Sequence, residues 1–197
     1  MTYLHWAVIL GQLGVAQVGK GSQADFLKEY QRQEKEIVSK LQDAKLWSDP
    51  KQKDALLEHL AVARLLRSKA LVPVLIPHLT YSQFKEGGAY KTVEERYPAM
   101  WVLLEIGTPA IPALVEVLKK ADPDDDPLKN AVLERKGSGT GAAEHGVALH
   151  CIVGIYNQGG YGKDLAKARI ELELKAATKD LEKMFLRRAL ENGIFKQ

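Results

Sequence analysis

Three stretches hold side chains of the types that do chemistry. Glu144, His145, His150 and Cys151 stand within eight residues and are ligand types for zinc. On a helix, however, positions 145 and 150 lie about 140° apart, whereas ligands on one face need a spacing of three or four. Cys151 is followed by Ile152 and Ile155 and reads as a packed thiol, since no base stands at a spacing that would make it a nucleophile. Asp122, Asp124, Asp125 and Asp126 offer carboxylates to calcium, but the alternating acids, central glycine and closing glutamate of an EF-hand loop are missing. With Pro123 and Pro127 stiffening it, residues 122–126 read as a solvated turn. Gly137-Ser138-Gly139-Thr140-Gly141 lacks both the Gly-Lys-Ser/Thr ending and the preceding strand of a phosphate loop. These stretches therefore predict no catalytic residue, no metal site and no cofactor, and the chain reads as non-enzymatic.

A different chemistry is suggested by Lys175, Lys179, Lys183 and Arg187. Recurring every four residues, they trace a strip along one side of a helix, drifting about 40° per step. Such a strip can meet phosphates or an acidic partner, so these four are the candidate partner-binding residues. Glu171 and Glu182 lie beside it, and Ile170, Leu174, Ala177, Leu181 and Met184 form the expected buried seam. No interleaved aromatics offer a platform for stacked bases. Trp47, Tyr97 and Trp101 are residues that dominate binding hot spots, but here they read as fillers between helices.

The elements that must position these residues are helical. A chain of 197 residues, 46% hydrophobic and 27% charged, is long enough for one domain with a core. Aromatics at 7%, and Val and Ile that seldom alternate with polar residues, favour helices over a sandwich or barrel. A single cysteine excludes an internal disulfide framework and a cysteine-based zinc cluster. The net charge of +3 is too small to imply nucleic acid, and its placement says more. Residues 163–197 hold nine Lys or Arg against six Asp or Glu, which leaves 19 of each sign in the first 162 residues.

Residues 4–18 carry no Asp, Glu, Lys or Arg; the run has the length of a signal-peptide core and falls short of the roughly 20 residues a spanning helix needs. Gly14 and Ala16 occupy the small-residue places for a cut before Gln17, although no Lys or Arg precedes the run. Residues 1–16 are thus expected to be a signal peptide, with a buried first helix as the alternative. A periplasmic or secreted location is favoured over a cytoplasmic one, with no transmembrane span.

Ser22 is placed to cap a helix running to about Trp47, with Phe26, Tyr30, Ile37, Leu41 and Ala44 on one face, before Ser48-Asp49-Pro50 ends it. A second helix, about 52–67, has apolar residues too widely spread for a surface helix. Residues 70–79 align with 109–118 at an offset of 39: aliphatic or small residues coincide at 71/110, 72/111, 75/114, 76/115 and 79/118, and Pro73 coincides with Pro112. Upstream, 60–66 align with 99–105, so each copy reads as helix, short turn and proline-opened helix. Gly107 supplies the positive-φ residue that closes the first helix of the second copy.

Residues 97–118 resemble a HEAT repeat, and residues 58–79 resemble another. The resemblance implies an all-α fold, a short α-solenoid of HEAT-like hairpins with an N-terminal helix and a long C-terminal helical cap. The solenoid is expected to span 17–197 as a single domain, with its clearest repeats at 54–80 and 95–120 and a weaker one at 142–192. Insertions at 81–95 and 122–141 read as exposed loops. What the resemblance implies for function is a protein–protein interaction or scaffold module, its partner a protein. The alternative is nucleic-acid binding through the basic C-terminal helix.

Overall fold

A computed structural model of the chain describes residues 23–82, 96–120, 144–158 and 160–191. Of these residues 87% are helical and none lies in a strand, so the fold is all-α. The expected signal peptide at 1–16, the acidic turn at 122–126, the glycine-rich run at 137–141 and most of the 81–95 insertion lie outside the described residues. The chain divides into two compact units, Met1–Ser68 and Lys69–Gln197, and the division falls between the two helices of the first expected repeat.

In the first unit, α1 spans Gln23–Leu41, α2 Ala44–Ser48 and α3 Lys53–Leu66. The single helix expected to reach Trp47 is interrupted at 42–43. The cause is local: the Asp43 carboxylate accepts the Lys45 amide at 2.9 Å and starts a new helix instead of continuing the old one. Asp49 repeats the device at Lys51, also at 2.9 Å, with Pro50 where a helix tolerates proline.

Trp47 then serves the first helix from outside it. Its indole N–H donates to the Leu41 carbonyl at 2.7 Å, satisfying a C-terminal acceptor that α1 cannot pair itself. The early part of α1 lies beside the end of α3, because the Tyr30 hydroxyl donates to the Leu66 carbonyl at 3.1 Å and the Ser68 hydroxyl donates to Glu34. The two helices therefore run antiparallel. They enclose Ile37, Leu41, Leu46, Trp47, Leu56, Leu60, Ala63 and Leu66.

In the second unit, α4 is the short helix Val72–Leu75 between the 3-10 turns Lys69–Leu71 and Ile76–His78; α5 is Pro98–Ile106 and α6 is Ile111–Leu118. Prolines occupy opening turns at α4 and α6, as the repeated pattern predicts, and at α5 as well. Between α5 and α6, Gly107 takes φ 78° and ψ −141°, a backbone region costly to any residue with a Cβ. The segment Thr108–Leu118 consequently turns by 114° from α5. No single helix among the described residues is long and apolar enough to cross a membrane.

Helix α7, Glu144–Asn157, is followed by α8, Gly160–Ala176, and α9, Asp180–Glu191. Helix α7 packs against α5, α6, α8 and α9, and its buried residues, from His145 to Tyr156, take up about two thirds of its circumference, leaving Gly146, His150, Gly154 and Asn157 on the remaining side. An apolar face this broad is stable only when several helices cover it. The Cys151 thiol lies 3.7 Å from the Met100 carbonyl, and the Gln158 amide donates to the Leu104 carbonyl at 2.9 Å. Position rises along both helices together, so α5 and α7 run parallel.

Two glycines yield separable predictions. A Cβ built at Gly154 would sit 2.6 Å from Leu104 Cδ1, the movable end of that side chain, so overpacking in Gly154→Ala is expected to cost about 1 kcal/mol, the low end of its range. That cost largely cancels the roughly 1 kcal/mol gained from helix propensity, so the net change is small. Adding Leu104→Ala should recover part of the overpacking cost, and additive effects in a urea double-mutant cycle would contradict the close approach. At Gly107 an added Cβ meets nothing within 4 Å, so the expected cost of Gly107→Ala, about 1–3 kcal/mol, is backbone strain alone. Thermal denaturation should show that loss in the single variant, and trimming neighbours should not relieve it.

Candidate interaction surface

The basic C-terminal segment does not form one helix. Helix α8 ends at Ala176, residues 177–179 leave the helix, and α9 begins at Asp180. The Lys179 carbonyl accepts the Lys183 amide at 3.1 Å, which places Lys179 at the entrance of α9. Asp180 and Glu182 follow in the first turn, where acids suit the positive end of the helix.

The four expected partner-binding residues are accordingly divided. Lys175 is exposed near the end of α8, and Lys179 lies in the break with its ammonium on the Lys119 carbonyl. Lys183 sits 3.8 Å from Asp180, while Arg187 is exposed on α9. A continuous strip on one helix face, as the four-residue spacing suggests, is therefore not what the backbone provides. The expected seam is also reset. Ile170 and Ala177 are buried, but Leu174 and Met184 are half-buried, and the core is entered by Phe185, Leu186 and Ala189.

Around the end of α6 the charges interlock. The Lys119 ammonium holds the Glu116 carboxylate at 2.6 Å and lies 4.0 Å from Glu182. The Glu116 hydrogen bond is the main cause of a raised Lys119 pKa; partial desolvation opposes it, and the negative charges of Glu116, Glu182 and Glu173 reinforce it. Glu182 itself is only 1% exposed, and neither of its carboxyl oxygens receives a hydrogen bond. Sequence reasoning set Glu182 beside a solvated strip. The missed signal is that 182, 185, 186 and 189 fall at the spacing of a single buried face once the helix restarts at 180.

The reactive-type residues on α7 face different neighbours. The His145 ring stacks on Phe185 of α9, with centroids 6.3 Å apart and planes 18° apart, whereas Cys151 meets the α5 backbone. His150 is half-buried. Among the described residues no group of three or more His, Cys, Asp or Glu is arranged to hold a metal ion. Trp47 and Tyr97 are buried, as their reading as fillers requires, and Trp101 is half-buried.

What sequence reasoning also missed is an apolar strip on the outer side of α8. Leu165 is 47% and Leu172 55% exposed, and Ala168 and Ala176 are exposed with them. Spacings of three, four and four place all four on one side of the helix, opposite the buried Ala166 and Ile170. The ion pairs Lys167–Glu171, at 3.9 Å, and Arg169–Glu173 border the strip. The signal was legible as a seven-residue Leu spacing offset from the buried seam.

Comparison with known proteins returns nothing: no family model, no curated protein and no solved structure matches the chain.

Burial of Cys151 carries its own prediction. Its thiol should react with a disulfide reagent only as fast as the second unit opens, at least about a hundredfold slower than a free thiol. Rapid labelling of the folded chain, followed by absorbance of the released thiolate, would place Cys151 at an accessible position and reopen its role as a nucleophile.

Proposed function

We propose that the chain is a non-enzymatic protein-interaction module whose helical hairpins are HEAT-like repeats. The solenoid reading is supported by the parallel course of α5 and α7, which are the first helices of the second and third expected repeats. The binding reading rests on the exposed Leu165–Leu172 strip of α8, since neighbouring apolar side chains left in water on one helix face are the usual anchors of a protein partner. The bordering Lys167, Arg169, Glu171 and Glu173 suit the polar rim of such a contact.

The test is affinity capture from the native host with three forms of the full chain: wild type, Leu165→Glu with Leu172→Glu, and Lys175→Glu with Arg187→Glu. The leucine pair should lower recovery of the wild-type protein set by about tenfold or more, and the basic pair should leave it unchanged. Unchanged capture by the leucine variant would sink this reading. Salt-dependent binding of a short duplex, lost in the basic variant, would move the function to nucleic acid instead.

A further inference from the structure

Helix α9 is held by contradictory forces. Phe185, Leu186 and Ala189 are fully buried and attach it to the second unit, where it packs against α6, α7 and α8. One turn earlier, Glu182 is buried just as completely while both its acceptor oxygens lack a donor. A buried polar group without hydrogen bonds opposes the docking that buries it, because water would satisfy it. The nearest cation does little to offset this. Lys119 stands 4.0 Å away, beyond hydrogen-bond distance, and already holds Glu116 at 2.6 Å. Lys179 and Lys183 are directed elsewhere, to the Lys119 carbonyl and Asp180.

The chain also provides a pivot. Residues 177–179 are not helical, so α9 can move without unwinding α8. Nor does its departure dismantle the unit, since α7 keeps its contacts with α5, α6 and α8.

We propose that α9 is a releasable helix that swings out about residues 177–179, with Glu182 as the strained contact that sets how often it does so. In the docked state the His145–Phe185 stack is closed; in the released state the side of α7 that carries His145 is uncovered and Glu182 is hydrated. The opening is sub-global, confined to α9 while α5, α6, α7 and α8 remain folded.

Amide hydrogen exchange of the full chain under native conditions tests this. In wild type, protected amides of α9 should exchange at least about tenfold faster than those of α7. Glu182→Met, which removes the unsatisfied oxygens at similar size, should slow the α9 amides by about tenfold or more and leave those of α1–α3 unchanged. Glu182→Gln, which removes the charge but keeps polar atoms at the same place, should slow them less than Glu182→Met. Equal exchange of α9 and α7 in wild type would overturn the proposal, as would α9 rates that Glu182→Met leaves alone. Should the Met variant fail to fold by circular dichroism, the wild-type comparison of α9 with α7 decides alone.

Discussion

At Gly154 helix α7 comes so close to α5 that an added Cβ would stand 2.6 Å from Leu104 Cδ1, and this approach sets how α7 lies against α5. The rest of the second unit is arranged around that helix, because about two thirds of the α7 surface is apolar and is covered by α5, α6, α8 and α9. Its contacts with α5 are of two kinds. Apolar burial supplies most of the stabilisation, while the Cys151 and Gln158 contacts to carbonyls of α5 fix the register. Where α7 runs, α8 and α9 follow, since two residues separate α7 from α8 and three separate α8 from α9.

Charges play unequal parts. The Arg32 guanidinium joins Glu29 and Glu36 on the solvated side of α1 and keeps the Glu29 carboxyl below its ordinary pKa, yet exposed pairs of this kind contribute little to stability. The group at the end of α6 is different, because Glu182 is withdrawn from water and Lys119 is shared with Glu116. There the balance between desolvation and attraction decides how firmly one helix is docked.

The outer side of α8 shows how one helix can serve two environments. Ala166 and Ile170 face the core, and Leu165 and Leu172 face water, so the apolar residues form two stripes instead of one. The second stripe is not explained by the fold of the unit itself. Under the reading proposed above, it is the part of the array that contacts a partner, while Trp47 and Tyr97, more conspicuous in the sequence, are spent on the interior.

The sequence by itself determined the helical class, the proline-opened helices α4 and α6, the need for glycine at 107 and the buried character of Cys151. Each depends on local backbone geometry or on short-range periodicity, which a linear chain displays directly. Even the break at Asp43 was present as a capping residue, although the apolar spacing across it favoured continuity. Tertiary structure alone decided the fate of the C-terminal charges. A spacing of four describes a strip only if the helix is unbroken, and the 177–179 break divides the four basic residues between α8, the break and α9. It also decided that Glu182 is buried and that Leu165 is not. Burial is set by which helices converge on a residue, and the parallel course of α5 and α7 that directs this convergence joins positions about fifty residues apart.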